Sequence, residues 1–275
     1  MNNFTLRTIT GAIFVIVIIG SVLVHHLVFA ALFLIVALAG YREFSNISRQ
    51  LNAYPSKVAG SVMAIAVYVL IVSFNFNLIP ATMLYLLLLV PVLLAVVELF
   101  RKTSSPLTNL SMALFGIAWI VVPLALLSGF FALGEELKWR ETGLLLGFFL
   151  ILWIYDSGAY IFGSAFGKHK MIERISPKKS WEGFLGGAFS GLLVAYLVSA
   201  SFTVLTLWEW LLTGVLIIVF GTFGDLIESM FKRNAGIKDS GSILPGHGGI
   251  LDRFDAVLIA APFVYILTRM LGLLN

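Results

Sequence analysis

Nine stretches of this chain, roughly residues 6 to 24, 27 to 41, 58 to 75, 79 to 98, 110 to 131, 143 to 166, 184 to 205, 208 to 228 and 254 to 273, are apolar over lengths comparable with the hydrocarbon core of a bilayer. Of the 275 residues, 60% are hydrophobic and 12% charged, and the mean hydropathy is +1.01. So little polar surface cannot cover a water-soluble globule. In lipid every backbone N–H and C=O must be paired within its own element, so the apolar stretches are predicted to be helices. The expected fold is an all-α, polytopic integral membrane protein with about nine transmembrane helices. Residues 1–135 form N-terminal scaffold helices and residues 136–275 a C-terminal catalytic region, within a single membrane domain. The first stretch is expected to be a retained helix. Its apolar run from Ile9 to Val24 is long, and His25 and His26 do not form a small-residue cleavage site.

Cysteine is absent, which excludes disulfides, thiolate metal sites and a cysteine nucleophile, and leaves oxygen or histidine ligands for any metal. The net charge of +4 does not point to nucleic acid, because the basic residues are scattered among short loops. They sort by topology instead. With the N-terminus in the cytoplasm, fifteen of the eighteen Lys and Arg residues fall inside, leaving Lys138, Arg140 and Arg269 outside. His25 and His26 are expected at the outer interface, Trp208 and Trp210 as interfacial anchors, and the charge run GEELKWRE from Gly134 as a solvated outer loop. Pro91 and Pro123 are expected to kink their helices.

Polar chemistry gathers in the second half. Asp225 and Glu228 are three apart at a helix end and share a face, and Asp252 and Asp255 repeat that spacing where the last helix begins. Taken singly, each pair can be a helix cap or a partner for a nearby base. The loop between them, however, holds Lys232, Arg233, Lys238 and the run Pro245, Gly246, His247, Gly248, Gly249. Carboxylates for Mg²⁺, amines for phosphate oxygens and glycines that expose backbone N–H groups are what a nucleoside triphosphate requires. The loop is not a Walker A motif, and GSAFGK at Gly163 only superficially resembles one. A second cluster, ISPKKSWEG from Ile175, sets Lys178 and Lys179 beside Ser176, Ser180 and Glu182. It reads either as ordinary positive-inside charge or as a clamp for an anionic headgroup or triphosphate. Asp156, in DSGAYIFG, is an ionisable group within an expected span and should face the protein interior.

Ser229, Lys232-Arg233, Lys238-Asp239, His247-Gly248-Gly249 and Asp252-Arg253-x-Asp255 follow one another in SMFKRNAGIKDSGSILPGHGGILDRFD, which resembles the signature of the phosphatidate cytidylyltransferase (CDP-diacylglycerol synthase) family. GDLIES, SPKKSWEG and DSGAYIFG are similar to the family as well, so the likeness covers 156 to 255 by motif and the remainder by hydropathy. The resemblance implies an enzyme that joins CTP and phosphatidic acid into CDP-diacylglycerol and pyrophosphate, with Mg²⁺ required and a monovalent cation such as K⁺ beside it. By motif, Asp225 and Asp252 would be the metal-binding carboxylates, with Asp255, Glu228 and Asp156 as further members of the metal set. Lys232, Arg233 and Lys238 would hold the triphosphate or the lipid phosphate, and Arg253 would support the carboxylates. Asp239 and His247 complete the expected catalytic set, His247 either donating to a phosphate oxygen or capping the glycine turn. Ser176, Lys178, Lys179, Ser229, Gly248 and Gly249 are the expected substrate-binding residues. The implied setting is the inner (cytoplasmic) membrane, multi-pass, with the active site facing the cytoplasm. CTP, phosphatidic acid and the bilayer are the implied partners, with a homodimer as a further candidate assembly. Two other classes stay open: a transporter or channel, which would bind CTP without turnover, and a CTP-dependent lipid kinase, which would release CDP.

Overall fold

The computed structural model describes residues 3–131, 138–241 and 248–272, with side chains from residue 8 in the first stretch and from residue 141 in the second. The charge run at 134–137 and His247 lie outside the described residues. Among the described residues ten α-helices follow one another: α1 (Asn3–Val24), α2 (His26–Gln50), α3 (Lys57–Asn75), α4 (Leu89–Phe100), α5 (Pro106–Gly116), α6 (Val122–Leu126), α7 (Lys138–Phe166), α8 (Trp181–Ser201), α9 (Leu207–Asn234) and α10 (Leu251–Met270). Among the described residues the only β pairing is a single antiparallel bridge between Lys170 and Ser180.

Among the described residues seven helical segments are long and apolar enough to cross a membrane: His26–Gln50, Lys57–Asn75, Ala81–Phe100, Pro106–Phe130, Glu141–Phe166, Trp181–Ser201 and Leu207–Asn234. The other two expected spans are also helical, as α1, whose described apolar part is Thr8–Val24, and α10. The prolines act at junctions. A 3₁₀ segment (Ala81–Leu88) passes into α4 just before Pro91, and a π-helical turn (Ile117–Val121) passes into α6 just before Pro123. Each ring removes one N–H donor where the helical register changes. Pro262 lies inside α10. His25 is exposed and caps α2, its Nδ1 accepting from Leu27 N at 3.1 Å. Of the two expected interfacial tryptophans, Trp208 is exposed but Trp210 is fully buried, its indole N–H donating to Phe202 O at 2.9 Å.

The chain forms two compact units. The first consists chiefly of Met1–Gly129 and Phe231–Phe254, the second of Phe130–Met230 and Asp255–Leu274. In the first unit, Phe44, Phe115, Trp119 and Phe231 form an aromatic cluster in which Phe231 stacks on Trp119 at 5.0 Å, tying the last turn of α9 to α2 and α5. Phe254 meets Phe14 and Phe33 edge-on at 5.5 and 5.6 Å, fixing the start of α10 to α1 and α2. Glu98, buried at the end of α4, is paired with Arg101. Asn109 donates to Glu98 at 3.5 Å and accepts from Tyr54 N at 2.6 Å, closing the α2–α3 and α4–α5 connections onto each other.

The second unit is dominated by the α7–α8 pair. Gly183, Gly187 and Gly191, four residues apart and buried, face Tyr155, Ala159 and Gly163 on α7. A Cβ on Gly187 would lie 2.8 Å from Tyr155 O, and one on Gly183 would lie 2.8 Å from Ala159 O. Backbone contact of this kind is how helices associate where lipid removes the hydrophobic drive between them. Thr222 donates to Ile218 O at 2.7 Å, so the Tyr155 hydroxyl is the donor in its bond to Thr222 Oγ1 and ties α7 to α9.

Candidate active site

The first unit builds a site around Asp252, in the first turn of α10. Asp252 Oδ1 accepts from Lys232 Nζ at 2.6 Å. Its Oδ2 accepts from Ser240 N and Ser240 Oγ, both at 2.9 Å, and from Gly249 N at 2.8 Å. Lys232 is set by the last turn of α9, which Phe231 anchors and Gly236 ends in a left-handed conformation at φ +68°. Gly248 holds φ +85°, and a Cβ there would press on Asp252 Oδ2, so the turn takes glycine for both backbone and space. The Asp252 carboxyl precedes the apolar part of α10. Burial pushes it upward, but the Lys232 ammonium and the Gly249 and Ser240 amides outweigh burial and hold it below the usual carboxylate range.

Glu43, on α2, is a residue that sequence reasoning missed. It is buried at 4% exposure and takes Ile250 N and Leu251 N at 3.0 Å each, with Ser240 Oγ at 3.3 Å. Its partners lie some two hundred positions away, and beside Arg42 at the end of an apolar run it looks like an ordinary interfacial charge. Ser240, which touches both Glu43 and Asp252, was likewise not singled out. Arg233, Lys238, Asp239 and Arg253 are exposed, and Arg233 donates to Ile237 O at 3.4 Å.

The second unit gathers Asp156, Asp225, Glu228 and Asp255 within electrostatic range of one another. Gly224 makes this possible, since a Cβ there would run into the backbone of Asp255 and Ala256. Asp225 pairs with Lys179 Nζ at 2.6 Å through Oδ2 and accepts from Ser229 Oγ at 3.3 Å through Oδ1. Glu228 is buried, and Asp255 Oδ1 accepts from Ala256 N at 2.8 Å. Asp156, on α7, keeps an accessible side chain and is turned toward this acid cluster, within electrostatic range of Asp225 and Asp255. The run of small residues after it still permits close helix packing, through Gly158 and Ala159.

The α7–α8 connection is pinned by Glu182. Its carboxylate accepts from Lys168 N at 3.1 Å and from His169 N at 3.2 Å, and pairs with His169 Nδ1 at 2.6 Å. Ser180 caps α8 through Gly183 N at 3.2 Å. Ser176 is half-buried within the turn, where Lys179 N donates to its carbonyl at 3.2 Å, and Lys178 projects into solvent.

Among the described residues no three Asp, Glu or His side chains are disposed to enclose a metal ion between them. The all-oxygen, strongly anionic donor set of the second unit nonetheless fits Mg²⁺, which binds through one or two carboxylates and completes its shell with water and substrate phosphates.

Fold and site together describe a multi-pass helical membrane protein carrying a Gly-rich, basic turn beside a carboxylate and, separately, a cluster of four acids. The chain belongs to the Cytidylyltransferase family, whose model matches residues 5–271. Among its relatives, the phosphatidate cytidylyltransferase of Staphylococcus aureus (strain COL) is 52% identical over 132 residues, that of Staphylococcus haemolyticus (strain JCSC1435) 50%, and that of Staphylococcus saprophyticus 48%. The matched stretch is 46% of this chain and 50% of each relative, so the chain spans about half the length of the curated relatives it matches.

Proposed function

We propose that the protein transfers CMP from CTP to phosphatidic acid, forming CDP-diacylglycerol and releasing pyrophosphate at the cytoplasmic face of the membrane. The observation that carries this reading is the set of contacts around Asp252. In a family of cytidylyltransferases, Lys232, the Gly249 amide and Ser240 converge on one carboxylate within the signature loop. A phosphate oxygen of phosphatidic acid attacks the α-phosphorus of CTP in line. The bond from the α-phosphorus to the bridging oxygen breaks, and its electrons leave with pyrophosphate. The attacking group is already anionic near neutral pH, so the residues must align and neutralise more than abstract a proton.

Lys232, Arg233 and Lys238 hold phosphate oxygens of the substrates, and Gly248 and Gly249 let backbone approach them. Lys178 and Lys179 hold an anionic headgroup or triphosphate beside the α7–α8 turn. Mg²⁺, when bound, offsets charge on the phosphate oxygens and the departing pyrophosphate. Asp225 would hold it, with Glu228, Asp255 and Asp156 nearby. A metal role for Asp252 requires Lys232 to yield Oδ1, because Oδ2 already accepts three hydrogen bonds.

The test is conversion of α-labelled CTP by the purified protein with phosphatidic acid present and Mg²⁺ supplied or chelated. Mg²⁺-dependent label in extractable lipid, with pyrophosphate released, is the expected result. Release of CDP would mark a lipid kinase, and CTP binding without turnover a transporter.

A further inference from the structure

We infer that Glu43 is a positioning residue for the proposed reaction, holding the first turn of α10 and Ser240 so that Asp252 and Lys232 keep their register. This rests on the cytidylyltransferase reading. The residues just before α10, Gly248, Gly249 and Ile250, carry no side chain able to cap it, so its first N–H groups need acceptors from elsewhere. Asp252 takes Gly249 N, and Glu43 takes Ile250 N and Leu251 N, one with each carboxylate oxygen. The negative charge sits against the positive end of the α10 dipole, which offsets part of the cost of burying it.

A short side chain at the N-cap position itself is the usual cap, and a buried carboxylate reaching in from another helix needs a further reason. Ser240 supplies it. Its hydroxyl has one proton and lies 2.9 Å from Asp252 Oδ2 and 3.3 Å from Glu43 Oε2. That proton serves one of the two oxygens at a time, so Glu43 and Asp252 share the Ser240 hydroxyl, and a displaced Glu43 shifts the donor that faces Asp252. Two glycines make room for this. A Cβ on Gly241 would lie 2.5 Å from Glu43 Oε1, and one on Gly249 would lie 2.5 Å from Glu43 Oε2. Gly40, one turn before Glu43 on α2, packs against Ile250 and Leu251 and keeps the two helices close.

The experiment compares wild type, Glu43→Gln and Gly241→Ala in detergent or nanodiscs, measuring kcat and KM for each substrate per folded molecule, and amide hydrogen exchange over 248–254. Gln turns one acceptor into a donor facing an N–H. Ala at 241 pushes the carboxylate aside without altering its charge, and stands in if Glu43→Gln does not fold. Both variants are expected to lose kcat by about 10- to 100-fold, since a misplacement near 1 Å costs about that much. KM for phosphatidic acid should stay unchanged and exchange over 248–254 should rise. Wild-type kcat in folded Glu43→Gln and Gly241→Ala would overturn the inference. If wild type itself makes no CDP-diacylglycerol, the functional reading fails and the role in that reaction fails with it, while exchange separately tests the hold on α10: faster exchange in the variants supports that hold and unchanged exchange overturns it.

Discussion

At the scale of single residues, Asp252 concentrates the most interactions in the described site. Its side chain is 9% exposed and that of Lys232 12%, so removing one partner leaves the other charge buried. Asp252→Asn should therefore lower stability by roughly 3 kcal/mol, and reduce turnover by about 100-fold or more if the carboxylate aligns the phosphates. Because its folded pKa lies below its unfolded value, the stabilisation from Asp252 is complete above the unfolded pKa of about 4 and lost as pH falls through the folded one. In metal-free detergent, the difference in thermal stability between wild type and Asp252→Asn should stay constant from neutral pH downward and close only below about pH 4. A difference that closes near neutrality would assign the effect to another group. Lys178 is exposed, and Lys178→Ala should raise KM for a substrate while leaving the unfolding temperature unchanged. Unchanged KM for both substrates would remove it from the proposed clamp. The acidic and basic members of these clusters were legible as residues, because charge is rare beside long apolar runs. Glu43 was not, since nothing local distinguishes a buried capping carboxylate from an interfacial one.

At the scale of elements, helix positions were legible from hydropathy, and several details within them were not. Pro91 and Pro123 signalled kinks, but the accommodation is a change of helix type at a junction, set by how neighbouring turns pack. Trp210 read as an interfacial anchor because a tryptophan at a helix start commonly serves as one. Here it fills a gap above Gly147, where a Cβ would collide with its ring, and that complementarity is visible only in three dimensions. The α7–α8 pair depends on Gly183, Gly187 and Gly191. Gly187→Val should force the backbones apart and cost about 1 to 3 kcal/mol, read as a lower unfolding temperature in detergent, whereas Leu185→Val, on an exposed position of α8, should change little.

At the scale of the molecule, the charge bias makes a topological prediction. The chain has no cysteine, so single substitutions can be mapped with a membrane-impermeant thiol reagent. His169→Cys and Lys238→Cys should react from the cytoplasmic side, and Asn77→Cys, in the α3–α4 connection, from the opposite side. Labelling of Asn77→Cys from the cytoplasm would overturn the orientation.

The amino-acid order alone determined that this is an all-helical membrane protein, and which stretch carries its chemistry. Helices are the one open solution for long apolar segments in lipid, and a glycine-rich charged loop between two of them has no lipid-facing role. Tertiary structure decided which of those residues meet. Lys232 and Asp252 pack with α1–α6 in one unit, while Asp225, Glu228 and Asp255 pack with α7 and α8 in the other. Glu43 reaches the turn before α10 from α2. Hydropathy reports the surroundings of a segment one window at a time, and contacts across two hundred residues are fixed by the packing of helices against helices, which no local window contains.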